Sequence, residues 1–439
     1  MVFPQPPTSP VHVGMRTPIW LDCDTGHDDA FAILLAGRSS DVRFLGISTV
    51  HGNAPLEKTT YNTRAILKSI EREDVPVYAG ASTPLSRDPA HAPDIHGKSG
   101  LDGTMSLPEP TVPALADKTA VDAMYDALRA EKPGTAWLVA TAALTNVALL
   151  FRTYPDLAQH IAGLSIMGGA IGGGFTDAPM GKVKGEGERF GNHTSYAEFN
   201  IYCDPEAASE IFSSPALACK ITLIPLDLTH QFVATNEVRF ALLFGYGSGS
   251  KGCEPTMEQI SNLRRLFFEI LTFFAKTYRE VFGFHSGPPT HDPLAVVAAF
   301  APHLFGCAAE NELAKGELEE RFSVSVITEG EHGDSEDIRN GPSQCGRTVV
   351  SPVQSGNCGV RIPRTVDARE VWRVVESCLS RTENSRKRGA PLGSNIDPHL
   401  SSAPRLERLK KEPDRGPDSL EGTRAAMRAV SQNIGVSGA

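Results

Sequence analysis

What the sequence lacks narrows it first. No apolar run approaches the ~18 residues that cross a bilayer as a helix, so no membrane-spanning helix is expected. The stretch MVFPQPPTSPVHVGM has no basic region followed by an apolar one, and does not read as a secretory signal. Positive charge is scarce: 42 Lys and Arg stand against 52 Asp and Glu, a formal net charge of -10. That balance argues against a general nucleic-acid binder, which needs a basic face to displace counterions. The eight cysteines (Cys23, Cys203, Cys219, Cys253, Cys307, Cys345, Cys358, Cys378) stand singly, without zinc-like CxxC pairs. They read as reduced thiols of an intracellular protein, which makes the cytoplasm the expected compartment. "RKR" near residue 386 is a weak nuclear-import signal at most, and a solvated tail is the preferred reading.

What is present is a long alternation of strand and helix patterns. PIWLDCD, VRFLGISTV and VPVYAG read as strands, and TAWLVATAA, IAGLSIMGGA and KITLIPLDL are apolar on both faces, as strands of a covered parallel sheet are. Between them lie helical stretches such as DDAFAILLAGR, ALTNVALLFRTYP and DPEAASEIFSS. The pattern predicts an α/β fold with an open, mostly parallel central sheet flanked by helices, as a single domain. SNLRRLFFEILTFFAKTYREVF predicts a long helix that covers a site or an interface. Residues 1–16 read as a flexible leader, 17–379 as the compact domain and 380–439 as a disordered polar tail. GYGSGSKGCEPT and EGEHGDSEDIRNGPSQ read as surface insertions.

The chemistry concentrates in LDCDTGHDD, where Asp22, Asp24, Asp28 and Asp29 fall between two buried-looking segments. Alternate residues of a strand share a side, so Asp22 and Asp24 face together while Asp28 and Asp29 open the next helix. Capping of free N–H groups explains one acidic residue in a first turn, not four. Close carboxylates repel and raise one another's pKa, and a hard cation with oxygen ligands removes that conflict. Calcium, which accepts six to eight such ligands, fits the pattern. DCDT after a strand also resembles a haloacid-dehalogenase-type phosphotransferase, but no helix-borne Lys with a downstream acidic pair accompanies it. MGGAIGGGF lacks the Lys-Ser/Thr of a phosphate loop. Three more polar clusters interrupt apolar sequence: Asn53 after a strand, Asn192, Glu198 and Asn200 before a helix, and His291 with Asp292 between prolines and an apolar helix. Singly, each is also explained as turn or cap chemistry.

Together the motifs resemble one family. LDCDTGHDDAFAILLA, TVHGN, IHGKSG, ATAALTNVA, IMGGA, NHTSYAEFNIYCDPEAA, PLDLTH and THDPLAVV stand in the order found in the inosine-uridine preferring nucleoside hydrolases. The resemblance runs from Pro18 to Leu379, and VFGFHSGPPTHDP is similar to the fungal uridine nucleosidase branch. It implies an N-ribohydrolase splitting a ribonucleoside, uridine or inosine, into ribose and base at a bound Ca2+. Carried over, the metal ligands are Asp24, Asp29, Asp292 and the carbonyl of Thr141, with Asp24 also the general base toward water. Asp28, Asn53 and Asn200 recognise ribose hydroxyls, and Asn192 and Glu198 hold the 5' end of the sugar. Met167 lies beside the substrate. His291 serves as the acid near the leaving base, and His96 closes over it. The resemblance further implies a homodimer or homotetramer with a small-molecule partner only, and no nucleic acid or membrane.

Two features bear on substrate choice. The stretch between Met167 and Asn192 reads as an enlarged flap, and Tyr278, Arg279 and Phe282 as lining of the base pocket or, equally, as core or helix-surface residues. Hydrolysis of another N-ribosyl compound, such as nicotinamide riboside, and non-catalytic binding of nucleoside or ribose are the alternative functions.

Overall fold

The computed structural model describes residues 16–387, apart from 181, 184–186, 189–190, 246–259, 307–319, 331, 333–342 and 355. Strands β1 (Thr17–Cys23), β2 (Val42–Thr49), β3 (Val77–Ala79), β4 (Trp137–Ala140) and β5 (Gly163–Met167) are followed by the short pair β6 (Lys182–Val183) and β7 (Gly187–Glu188). Then come β8 (Ile221–Ile224), β9 (Phe305–Gly306), β10 (Phe322–Val326), β11 (Thr348–Pro352) and β12 (Thr365–Val366). Six of them form one parallel sheet in the order β3-β2-β1-β4-β5-β8. The chain winds outward from β1 in both directions, so the order reverses between β1 and β4. In open sheets that switch is where ligands bind, beyond the carboxyl ends of the strands.

The first half of the chain supplies helices α1 (Asp29–Arg38), α2 (Leu56–Ser69), α3 (Pro93–His96), α4 (Ala120–Arg129), α5 (Thr145–Thr153) and α6 (Leu157–His160). The second supplies α7 (Phe199–Cys203), α8 (Pro205–Ser213), α9 (Leu226–Thr229), α10 (Asn236–Phe244), α11 (Asn262–Phe282), α12 (Pro293–Phe300) and α13 (Ala368–Lys387). α1 and α12 are apolar all round and buried on every side, packed together on one face of the sheet with α13 outside them. α4, α5 and α8 cover the opposite face. This is the open, mainly parallel sheet with flanking helices that the strand-helix alternation predicts.

Three differences from the sequence reading have local causes. KITLIPLDL is not one strand: Pro225 cannot continue the ladder, and Leu226–Thr229 turns into α9. The boundary expected at 379/380 falls inside α13, whose Ser380, Arg381 and Arg386 side chains bond Glu376, the Arg38 carbonyl and Glu71. The expectation of unpaired thiols is corrected at one pair, since Cys219 and Cys358 form a disulfide. They meet because the chain beside Arg361 adds to the sheet edge, with Arg361 N–H to the Ile221 carbonyl at 3.0 Å and Leu223 N–H to the Arg361 carbonyl at 2.8 Å. A sequence separation of 139 hides that contact from any spacing argument. Cys23, Cys203, Cys345 and Cys378 are free and buried; Cys253 and Cys307 lie outside the described residues. So do most of the two expected insertions, the expected leader up to residue 15 and the expected tail beyond 387.

Candidate active site

The pocket opens over the switch point. Its lining includes Asp28, Asn53, His96, Thr141, Met167, Asn192, Glu198, Asn200, His291 and Asp292, every predicted site residue except Asp24 and Asp29. Those two lie beneath, wholly buried. β1 ends in the loop of Asp24, β2 in the loop of Asn53, β4 in Thr141 and β5 in Met167, so four strand ends converge on one spot.

Asp28 and Asp292 occupy the N-cap positions of α1 and α12, yet neither carboxylate caps its own helix. The capping explanation therefore fails for both. One carboxylate oxygen each of Asp28, Asp29 and Asp292 lies within 4.8 Å of the others. Asp24, the expected third acidic ligand, stands beside this set rather than in it, with its carboxyl in hydrogen-bond contact with that of Asp29. Asn53 ties the two together: its Nδ2 donates to Asp24 at 3.1 Å and to Asp29 at 3.2 Å, and its backbone N–H donates to Asp24 at 2.7 Å. Gly52 makes that approach possible, because a Cβ there would fall 1.9 Å from Asp24 Oδ2. Thr141 Oγ1 donates to Asp29 at 2.9 Å, and the Thr141 carbonyl accepts from Asn200 at 3.1 Å. Asp22 stands behind. Its carboxylate accepts from Ser48 and from Asn146 (2.8 Å), and its carbonyl accepts the Thr141 N–H.

Burial dominates the electrostatics. Desolvation and then the charge of Asp29 push Asp28 up to about 7. Asp24 and Asp292 are driven well above the carboxylate range by burial, then by their acidic neighbours, and burial raises Asp29. Among the described residues, no lysine or arginine lines the pocket. Carboxyls in contact must share protons unless a cation replaces them. The donors are all oxygens and densely acidic, and oxygens sharing one calcium at ~2.3–2.6 Å lie within ~5 Å of each other. The 4.8 Å spread of the Asp28, Asp29 and Asp292 oxygens fits a hard divalent ion, and Asp24 adjoins that set through Asp29.

At the other end the pocket is aromatic. Phe274, Tyr278 and Phe282 line it from α11, at the i, i+4, i+8 spacing that puts them on one helix face. Arg279 does not: one residue on, it is rotated out to solvent, which decides for its helix-surface alternative. The sequence reading missed Phe274, which the same spacing would have found. His291 is held on both ring nitrogens, Nδ1 by Thr229 Oγ1 at 2.7 Å and Nε2 by the Tyr278 hydroxyl at 2.6 Å. Burial holds His291 well below the usual imidazole value, and holds Tyr278, next to Asp28, well above the phenol range. His96 meets His27 across 3.1 Å between Nδ1 atoms, tying the 91–102 loop to the aspartate loop. Asn192 and Glu198 both accept main-chain bonds, the first from Phe199 at 2.9 Å, the second from Gly169, Asn200 and Ile201. Their cap role is real, and it fixes them at the rim beside Asn200.

A polar, acidic end and an aromatic slot with an oriented histidine together make a glycosidase site shaped for a sugar joined to a flat base. The model of the inosine-uridine preferring nucleoside hydrolases matches residues 19–373, and the chain belongs to that family. It is accordingly a ribonucleoside hydrolase, an enzyme that cleaves N-glycosidic bonds. Among its relatives is the uridine nucleosidase of Saccharomyces cerevisiae, 44% identical over 283 residues, covering 64% of this chain and 75% of that one. The pyrimidine-specific ribonucleoside hydrolase RihA of Escherichia coli (strain SMS-3-5 / SECEC) is 39% identical over 296 residues, 66% of this chain and 82% of that one. Of solved structures, a plant nucleoside hydrolase superposes with a TM-score of 0.63 at 25% identity, covering 83% of this chain and 98% of its own.

Proposed function

We propose that the protein hydrolyses uridine, and inosine as a second substrate, to ribose and free base with the help of Ca2+ held by Asp24, Asp29, Asp292 and the Thr141 carbonyl. The observation that carries this reading is the cluster of buried carboxylates, none of them spent on capping, under a pocket whose other end is aromatic. Two of the relatives bear names that specify uridine or pyrimidine ribonucleosides, which supports naming uridine first in the proposal. When bound, calcium would neutralise the cluster, lower the pKa of water beside it and engage ribose hydroxyls.

The protein's own groups do the rest. Asp28, Asn53 and Asn200 orient the ribose hydroxyls, and Asn192 and Glu198 the 5' end; Met167 packs beside the sugar. Asp24, held by Asn53, accepts the proton of the attacking water. The buried carboxylates favour the positive charge that develops on the ribose as the N-glycosidic bond breaks. The base leaves with added negative charge, so a donor must meet it. Thr229 Oγ1 and the Tyr278 hydroxyl each bond one ring nitrogen of His291; in the Nε2–H tautomer, Thr229 O–H donates to Nδ1, Nε2–H to the Tyr278 oxygen and Tyr278 O–H to the base, one polarised chain of donors. His291, itself in the pocket lining near the leaving base, acts in concert with Tyr278, and His96 closes the same end.

Ribose release from uridine, inosine, cytidine, 2'-deoxyuridine and nicotinamide riboside tests the assignment. Uridine and inosine are turned over, and 2'-deoxyuridine is slower by about 10³-fold or more because site groups lose their hydroxyl partner. Release from nicotinamide riboside alone refutes it in favour of the other N-ribosyl reading; tight uridine binding without ribose release refutes it in favour of a binding protein. We further infer a cytoplasmic homodimer or homotetramer, a reading supported by the family resemblance and checked by light scattering and cell fractionation.

A further inference from the structure

The turn that follows β8 holds two parts of the site at once. On one side it grips the flap after β5: the Asp227 carboxylate accepts the N–H groups of Ile171 and Gly172 at 2.8 Å each, and Thr176 Oγ1 donates to the Asp227 carbonyl. His230 adds a fourth attachment, its Nδ1–H donating to the carbonyl of Pro179. On the other side Thr229 takes His291 Nδ1, and the His230 ring lies 5.7 Å from that of His291. Beyond Pro179 the flap continues through Met180, which packs on the main core, into β6, which lies against α11. α11 carries the aromatic end of the pocket.

His230 is only 2% exposed, and its Nε2 has no partner among the described residues. A buried acceptor left unpaired is costly, and an apolar side chain would fill the same space without that cost. The Nδ1–H bond to Pro179 is the one thing the imidazole supplies that an apolar residue could not. We propose that His230 is a positioning residue that pins the flap to the turn bearing Thr229, so that flap and His291 are set together at the base end of the pocket. The inference rests on the nucleoside-hydrolase reading of that pocket.

The test compares His230→Phe, which fills the volume without the donor, with His230→Asn, whose Nδ2–H takes the place of Nδ1–H. Uridine hydrolysis gives kcat and KM; hydrogen exchange of the Asp177, Ala178 and Met180 amides reports the flap without needing activity. H230F should raise KM about tenfold and speed exchange at those amides, and H230N should restore both to within about threefold of wild type, since misplacement of about 1 Å costs up to ~10²-fold. Wild-type KM and exchange in H230F would overturn the proposal, and so would equal impairment of H230F and H230N. Faster exchange in H230F, restored in H230N, in a protein that never releases ribose would support the pin while refuting the hydrolase reading.

Discussion

At the residue scale the site is a problem in charge placement, solved differently at its two ends. On the acidic side, Asp28 illustrates the cost. Its folded-state pKa of about 7 lies above that of an unfolded aspartate, as does that of Asp22, also raised to about 7 by burial. The folded, metal-free protein therefore holds protons that the unfolded chain releases, and stability falls as pH rises from about 4 through 7. Chelator-stripped protein should melt at a lower temperature at pH 8 than at pH 5.5, and added calcium should raise the pH 8 midpoint most. Differential scanning calorimetry at both pH values checks this; a stripped protein more stable at pH 8 would contradict it. On the aromatic side, Tyr278→Phe removes the terminal donor of the chain from Thr229 through His291. It should lower kcat on uridine by about 10²-fold, yet change hydrolysis of a p-nitrophenyl riboside, whose leaving group needs no donor, by less than about threefold. Equal losses on both substrates would remove Tyr278 from leaving-group assistance.

At the element scale, legibility in the sequence followed the range of the interaction. The strand ends and helix starts that carry Asp24, Asp28, Asp29, Asn53 and Asp292 were readable because apolar runs and acidic or amide residues alternate locally, whereas Thr141 was reached through the family resemblance alone. Phe274 joins Tyr278 and Phe282 by simple helical spacing, and Arg279 drops out by the same rule. Which partner each side chain finds was not readable. Thr229 and Tyr278 meet on His291 from separate elements, and nothing in PLDLTH or KTYREVF announces it. The end of α13 was also hidden: its polar sequence reads as tail, but Glu376 and Glu383 pair with Arg264 of α11 at 2.7 and 2.9 Å. Arg264 is 7% exposed, and it also donates to the Leu242 carbonyl of α10. Arg264→Met would leave both glutamates without their cation, each with a serine hydroxyl alone, Ser380 for Glu376 and Ser261 for Glu383, and should destabilise the protein by about 3 kcal/mol or more, read from urea unfolding. A loss below about 1 kcal/mol would mean that the pair is no more than a surface ion pair.

At the scale of the whole molecule, the winding of the sheet explains why residues so far apart in sequence form one site. The reversal between β1 and β4 leaves a gap at the carboxyl edge, and the loops after β1, β2, β4 and β5 all end there. α12 delivers Asp292 from the face of the sheet, and α11 lines the pocket with Phe274, Tyr278 and Phe282. The central claim is that this arrangement gathers carboxylates for a hard cation that hydrolysis requires. The most direct measurement is the rate of ribose release from uridine by wild-type protein and Asp292→Ala, before and after exhaustive chelation with metal content followed by elemental analysis, and again after calcium is returned. The account predicts that wild-type activity disappears with the metal and returns with calcium, while D292A stays at least ~10³-fold slower throughout. Full activity in protein shown to contain no metal, or wild-type rates in D292A, would contradict it.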